Sequence, residues 1–311
     1  MKILLLGFNI QENIFPLGLS YILGYTKKFH PDVEIKLKEF GFGHRFNYDV
    51  NKHIELTVIS YILMNKPDLV AFSCYIWSVD AIKNICKAIK KINPNIKIIL
   101  GGADMNENTI SNDIDFIISG EGEIAFVDVI DHIKNNKPLD KVHNIIYMND
   151  NKVIKNEEIQ IKNLDNIPFP YLLSNKKNYT AVRLETSRGC PFGCKFCLYA
   201  KNTKVRYFSI EYLQKNITYL FEHFKFKNLT ILDANFNLDK KRMKNILKII
   251  SDNSKKYNKK LIVNMECKPE FIDEEFIQII KNCSFKINIE MGLQSTDKEV
   301  LKKANRPYDL D

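Results

Sequence analysis

The sequence contains no apolar run that approaches the roughly 20 residues needed to cross a membrane. Its N-terminus, MKILLLGFNI, lacks a signal-peptide layout, because the short apolar run leads directly into an amphipathic segment. The sequence has seven cysteines in 311 residues, and three of the seven form one cluster. That usage favours reduced thiols and metal binding over disulfides. We therefore expect a cytoplasmic protein without a membrane span.

Tryptophan is nearly absent, with one residue, yet 20 Phe, 14 Tyr and a hydrophobic content of 45% indicate a folded globular chain. The formal charge is +9, from 46 Lys and Arg against 37 Asp and Glu. The lysines are scattered instead of forming one basic stripe, so we expect no nucleic-acid partner. A length of 311 residues predicts two domains, each large enough to bury a core.

Residues 1–140 alternate short apolar strands with amphipathic helices, which predicts an α/β domain built on a doubly wound parallel sheet. In such sheets ligands bind outside the carboxyl ends of the strands. The predicted strands are 2–7, 33–39, 69–73, 96–100 and 116–118, and the predicted helices are 17–29, 54–64, 80–92 and 123–134.

Residues 141–175 read as a hairpin and linker between two domains. Segments 142–148 and 152–155 are joined by Asn149-Asp150-Asn151, a turn sequence, and 164–170 contains two prolines that stiffen the chain. A second α/β series occupies residues 176–311. Its predicted strands, at 181–186, 229–233, 261–265 and 286–291, indicate a partial βα barrel that is truncated after about four strands.

Three cysteines follow the first strand of the second series with the spacing C-x3-C-x2-C: Cys190, Cys194 and Cys197. Three thiolates can hold three irons of a [4Fe–4S] cluster and leave the fourth iron open to a substrate or cofactor. The alternative is a structural zinc site, but zinc normally takes four protein ligands in paired C-x2-C spacings. The next cysteine in the chain is Cys267.

With the preceding Thr186-Ser187-Arg188-Gly189 and with Phe196 before the last cysteine, this triplet resembles the radical S-adenosylmethionine (radical SAM) superfamily. The resemblance implies a [4Fe–4S] cluster whose open iron is chelated by S-adenosylmethionine (SAM). It also implies reductive cleavage of SAM to a 5′-deoxyadenosyl radical and an external electron donor such as flavodoxin or ferredoxin.

The later strand ends of the second series fit the same core. Polar residues follow the second and third strands, and the run from Glu290 to Ser295, with Asn305-Arg306 after it, looks like the family's fourth-strand signature. The resemblance implies that SAM is contacted by Phe196, Asp233, Asn235, Glu266, Glu290, Gly292, Gln294 and Ser295.

The first domain resembles the cobalamin (B12)-binding domain that precedes the core in one large branch of the superfamily. The matching stretches are 72–77, 100–104 and 118–123. The sequence has no Asp-x-His-x-x-Gly loop, so a bound cobalamin would lack a histidine ligand, and some members keep the domain without cobalamin. The resemblance implies cobalamin contacts at Ser73, Tyr75, Trp77, Gly101, Gly102, Gly120, Glu121 and Gly122.

The leading hypothesis is a radical SAM enzyme that acts on an unknown small-molecule or peptide substrate, by methyl transfer if cobalamin is bound and by rearrangement, cyclisation or oxidation if it is not. The competing hypothesis is a non-catalytic or incomplete fragment that retains the cluster-binding loop, and a zinc-stabilised binding module is a third. The second series shows four βα units where the family core has six, so either the remaining units are missing or a second chain completes the barrel wall. The sequence does not identify the residues that act on the substrate.

Overall fold

The computed structural model describes residues 1–9, 13–41, 48–103, 105–199 and 204–306, with the backbone alone for 48–51. The chain forms two compact units. The first unit comprises Met1–Glu12, Pro16–Ile161 and Ile167–Leu173, and the second comprises Asn13–Phe15, Lys162–Asn166 and Ser174–Asp311. Among the described residues, no helix is both long and apolar enough to cross a membrane.

The first unit is built on a seven-stranded sheet in the order β2-β1-β3-β4-β5-β6-β7. The strands from β1 to β5 are parallel, and the order reverses between β1 and β3, which confirms the predicted doubly wound sheet. Its elements are β1 (Lys2–Asn9), α1 (Leu17–Phe29), β2 (Glu34–Gly41), α2 (Tyr48–Asn65), β3 (Leu69–Ser73), α3 (Val79–Ile92), β4 (Lys97–Gly101), β5 (Phe116–Ile118), α4 (Gly122–Asn135), β6 (Ile145–Asn149) and β7 (Lys152–Lys155).

Alternate residues of the central strands supply two separate cores, one on each face of the sheet. Leu4 and Leu6 of β1 belong to the core that includes α2 and α3 residues. Ile3 and Leu5 belong to the other core, which includes α4 residues. All four side chains are fully buried. A strand buried on both faces is a nearly continuous apolar run, which is why 2–7 was recognisable in the sequence.

The hairpin expected between the domains is part of the first sheet. β6 pairs antiparallel with β5, where Ile117 lies opposite Ile146, and β7 pairs antiparallel with β6. Asp150 and Asn151 turn the chain with φ of 47° and 59°, the left-handed conformation that a two-residue hairpin turn needs and that Asp and Asn tolerate. The sheet is therefore parallel over five strands and antiparallel at one edge.

The second unit contains a parallel sheet of four strands in the order β13-β12-β11-β8, which confirms the predicted partial barrel. Side chains of Ser209, Asp239, Asp273 and Asp297 cap the N-termini of its helices. A short antiparallel pair, β9 with β10, was not predicted. The elements are β8 (Ala181–Leu184), β9 (Ser187–Arg188), β10 (Arg206–Tyr207), α5 (Ile210–His223), β11 (Asn228–Ile231), α6 (Lys240–Lys256), β12 (Ile262–Glu266), α7 (Glu274–Lys281), β13 (Lys286–Glu290) and α8 (Lys298–Lys303).

Candidate metal and cofactor site

The cysteine loop leaves the sheet of the second unit directly after β8 and β9. Gly189, which precedes the first cysteine, has φ of 102°, a conformation that side chains other than glycine rarely adopt. Cys190 and Cys194 are buried, and Cys197 is exposed. The loop closes on itself where the Cys197 N–H donates to the Cys194 carbonyl oxygen at 3.1 Å.

The three cysteines line one open cavity of about 390 Å³, together with the carboxyl ends of β11, β12 and β13. Of the residues predicted to contact SAM, six line this cavity: Phe196, Asn235, Glu266, Glu290, Gly292 and Gln294. Residues separated by up to about 100 positions in the sequence are thus brought to one site because parallel strands end at the same edge of a sheet.

Asp233 does not line this cavity. It is 3% exposed, and its carboxylate accepts hydrogen bonds from the backbone N–H and the hydroxyl of both Thr186 and Ser187, at 2.5–3.2 Å. Burial raises the pKa of Asp233, and the hydrogen bonds from Ser187 and Thr186 oppose that rise. Asp233 therefore ties the end of β11 to the segment that leads into the cysteine loop.

Ser295 also lies outside the cavity lining. Its hydroxyl oxygen accepts a hydrogen bond from the Asp297 N–H at 3.0 Å. Asp297 in turn accepts from Glu299 and Val300 at the start of α8. Ser295 thus belongs to the turn that begins this helix.

Two side chains from outside the loop reach the cysteine sulfurs. Asn235 Nδ2 donates to Cys190 Sγ at 3.3 Å. Arg306 Nη1 lies 4.0 Å from Cys194 Sγ, and Nη2 of the same side chain donates to the Gly292 carbonyl oxygen at 2.9 Å. The sequence pattern pointed to Asn305-Arg306 as part of a signature but gave Arg306 no role.

The segment after α8 also holds the backbone of the cysteine loop. Asn305 Nδ2 donates to the Gly193 carbonyl oxygen at 2.8 Å, and the Lys195 N–H donates to the Ala304 carbonyl oxygen at 3.0 Å. These bonds hold the middle of the loop, whereas Asp233 holds the segment that leads into it. The loop is therefore anchored at its start and in its middle by different elements.

Lys268 is a buried cation in the cavity wall, and no sequence pattern singles it out. It is 6% exposed, and its Nζ lies 3.9 Å from the ring centroid of Phe192 in the cysteine loop. Nζ also forms an ion pair with Glu270 at 2.5 Å. Stacking of an ammonium group on an aromatic ring is favourable, and more so where water is excluded. Lys268 thus connects the end of β12 to the loop.

The carboxylates of Glu266 and Glu290 lie on adjacent strands at paired positions, and both line the cavity. Burial and the nearby charge of Glu290 raise the pKa of Glu266. Burial also raises the pKa of Cys267 to about 12, so this fourth cavity-lining cysteine is a neutral thiol. A neutral buried thiol is a poor metal ligand.

The donor set suits an iron–sulfur cluster: three thiols in one short loop, two of them with amide or guanidinium groups beside the sulfur. In the described part of the chain, no group of three His, Cys, Asp or Glu side chains is already arranged to hold a metal ion.

The predicted cobalamin contacts lie at the carboxyl edge of the first sheet. Ser73 and Gly101 are register partners at the ends of β3 and β4. Tyr75 and Trp77, each 37% exposed, stack in parallel with ring centroids 4.6 Å apart. This exposed aromatic pair follows β3, next to the point where the strand order reverses, which is where ligands bind in doubly wound sheets.

The glycines at this edge serve the fold itself. Gly102 has φ of 141°, and a Cβ there would lie 2.0 Å from the Cys74 carbonyl oxygen, so glycine is required by packing against the chain. Gly120 also has a positive φ, of 86°. The Glu121 carboxylate accepts from the Ile161 N–H at 2.9 Å, and Gly122 begins α4. Asp104, in one of the matching stretches, lies outside the described residues.

The chain thus combines a doubly wound domain, which has an exposed aromatic pair at one edge of its sheet, with a βα domain that follows it in sequence and has a three-cysteine cavity. Residues 3–130 match the family model of the B12 binding domain, and residues 184–311 match that of the radical SAM superfamily. The chain belongs to the radical SAM superfamily, in the branch that carries an N-terminal B12-binding domain.

Three similar proteins illustrate the relationship. The chain is 28% identical over 242 residues to the uncharacterized methyltransferase PH0819 of Pyrococcus horikoshii, covering 73% of this chain and 50% of that protein. It is 28% identical over 192 residues to the cobalamin-dependent radical SAM methyltransferase TokK of Streptomyces tokunonensis, covering 56% and 28%. The structure of the cobalamin-dependent SAM radical enzyme OxsB with aqua-cobalamin and SAM bound has the same fold, with a TM-score of 0.76, 19% identity and coverage of 98% and 45%. The chain spans half or less of the length of these proteins.

Proposed function

We propose that this chain provides the cofactor-binding framework of a cobalamin-dependent radical SAM methyltransferase. The observation that carries the proposal is the single cavity lined by Cys190, Cys194 and Cys197 and by the ends of three parallel strands. The similarity to TokK and OxsB supports an enzyme over the non-catalytic alternative. The substrate would be a small molecule or a peptide, and flavodoxin or ferredoxin would donate the electron.

In this proposal the three cysteines hold a [4Fe–4S] cluster with one open iron. When bound, the cluster and SAM together supply a 5′-deoxyadenosyl radical that abstracts hydrogen from a substrate. The chain's own residues bind and orient the cofactor. The carboxylates of Glu266 and Glu290 line the cavity and would accept hydrogen bonds from SAM. The cations Arg306 and Lys268 line the same cavity and suit the carboxylate of SAM.

The remaining lining residues have simpler roles in the proposal. The ring of Phe196 offers a surface for the adenine, and Gly292 leaves room for the backbone to approach the cofactor. Asp233 and Ser295 act through the segments that they hold, without touching SAM.

The first unit would bind cobalamin at the ends of β3, β4 and β5, without a histidine on cobalt. The exposed stack of Tyr75 and Trp77 would pack against the corrin, and Ser73, Gly101 and Gly120 would lie beside it. Glu121 and Gly122 contribute through the fold of the loop, because the Glu121 carboxylate is already bonded to Ile161. A further polypeptide that continues the sheet beyond β13 would complete the barrel wall.

The decisive experiment is anaerobic reconstitution of the whole chain with iron and sulfide. We expect about four irons and four sulfides per chain. Replacement of Cys190, Cys194 and Cys197 by alanine together should abolish the brown chromophore and the paramagnetic signal of the reduced cluster. Cys283→Ala, which changes a cysteine outside the cavity, should leave both unchanged. Stoichiometric zinc with no iron in protein purified without oxygen would refute the proposal.

Adding SAM and adding hydroxocobalamin to the reconstituted chain test the two cofactor sites separately. SAM should change the paramagnetic spectrum of the reduced cluster, since it would ligate the open iron directly. Hydroxocobalamin should comigrate with the protein on gel filtration, and Trp77→Ala should weaken that retention. If the unmodified chain does not retain hydroxocobalamin on gel filtration, the proposed function is restricted to the cluster and SAM.

A further inference from the structure

Two of the three cysteine sulfurs are approached by donor groups that come from outside the cysteine loop. Asn235, at the end of β11, donates from Nδ2 to Cys190 Sγ at 3.3 Å. The guanidinium of Arg306 lies 4.0 Å from Cys194 Sγ, held there by its bond to the Gly292 carbonyl oxygen. Each donor is on a different element from the sulfur that it faces, so the fold itself places them.

A donor beside a thiolate stabilises negative charge on the sulfur. Reduction of a cluster adds one electron, which is shared with the ligating sulfurs, so such a donor favours the reduced form and makes the reduction potential less negative. The two donors differ in kind: Asn235 is neutral with a short contact, whereas Arg306 brings a full positive charge at a longer distance. Both act in the same direction.

We propose that Asn235 and Arg306 set the reduction potential of the cluster by donating to Cys190 and Cys194. This inference rests on the proposed function, since it presupposes that these cysteines hold the cluster. Asn235 is then a positioning residue that acts through a ligand. The contact of Asn235 with SAM in the proposed function is a separate role, because its hydrogen bond to Cys190 is present without SAM.

The test is a redox titration of the reconstituted whole chain without SAM, followed by the paramagnetic signal of the reduced cluster, with a low-potential reductant as the one-electron source. Asn235→Leu keeps the side chain's size and removes the donor. The equilibrium constant for reduction should fall about tenfold, which is ~59 mV more negative for one electron. Arg306→Gln should shift the potential in the same direction. Asn288→Leu is the matched control, because this exposed asparagine on β13 is bonded to Asn264 and lies outside the cavity.

An unchanged potential in Asn235→Leu with a full complement of iron would overturn the inference and leave the proposed function intact. Failure of the unmodified chain to assemble a cluster would instead overturn the proposed function. If Asn235→Leu loses its iron, pulsed paramagnetic resonance of the unmodified protein labelled with ¹⁵N-asparagine decides. A coupling between the reduced cluster and the side-chain ¹⁵N of asparagine, which is missing when only other residue types are labelled, supports the inference. Absence of that coupling refutes it.

Discussion

Asp233→Leu removes the only carboxylate that accepts from both Thr186 and Ser187 in the described structure. Two buried backbone N–H groups are then left without an acceptor, at roughly 1–3 kcal/mol each. The two hydroxyls can rotate toward other acceptors and add less. We expect a loss of about 4 kcal/mol in the free energy of unfolding of the second unit, and a cysteine loop that retains less iron.

Asp233→Asn is the matched variant. The amide oxygen can accept from both backbone N–H groups, and the amide NH₂ can donate to the two hydroxyl oxygens, so the same four contacts persist with altered polarity. The expected loss is about 1 kcal/mol, from the weaker acceptor.

Urea titration distinguishes the two units within one sample, because the single tryptophan, Trp77, lies in the first unit. The fluorescence transition of Trp77 should be the same in both Asp233 variants and in the unmodified protein. The far-ultraviolet circular dichroism transition should move to lower urea in Asp233→Leu and separate from the fluorescence transition. Equal dichroism midpoints and equal iron contents for the leucine variant and the unmodified protein would show that the Asp233 contacts do not hold this segment.

Three further outcomes follow from the geometry. Glu290→Gln should lower the pKa of Glu266, which an NMR titration would measure. A raised carboxyl pKa lowers the stability of the folded state as the pH rises through that pKa. The variant should therefore be more stable at neutral pH, by no more than about 0.5 kcal/mol. A variant that leaves the pKa of Glu266 unchanged would contradict this. Gly102→Ala should destabilise the first unit by more than about 2 kcal/mol, measured by the fluorescence transition in urea. The control is Gly18→Ala, on a helix and in open space, which should stabilise the unit slightly. Equal urea midpoints for the two variants would contradict this prediction. Cys267→Ala should keep the full iron content, and loss of iron would make this thiol a ligand.

The sequence predicts the fold correctly where a strand is buried on both faces or where apolar residues recur with a regular period. The β1 run is apolar throughout because both of its faces are covered, and α3 has its apolar residues on one side. The hairpin was recognised but placed outside the sheet, because its pairing partner, β5, has only three residues and no alternation to reveal an open edge. The β9–β10 pair has two residues per strand, which is too short to carry any pattern.

The sequence reveals the parts of the site that lie in one loop, as in the cysteine triplet. It reveals less where the contacting residues are far apart in the sequence. The family resemblance predicts Asp233 as a SAM contact, but the residues that it holds in the structure, Thr186 and Ser187, are 46–47 positions away in the sequence, so no local pattern reveals these bonds. Lys268 resembled any surface lysine. Its burial depends on Phe192 of the loop, and no local pattern records that contact.

The bonds from Ala304 and Asn305 to the cysteine loop have a consequence for the timing of assembly during synthesis. The loop leaves the ribosome more than 100 residues before the segment that fastens it, so at roughly 5–20 residues per second it waits at least several seconds. During that interval its thiols lack their final neighbours and are open to stray metals and oxidants. We expect iron supplied after residue 306 has emerged to be retained better than iron supplied earlier, because Ala304 and Asn305 then hold the cysteine loop in place.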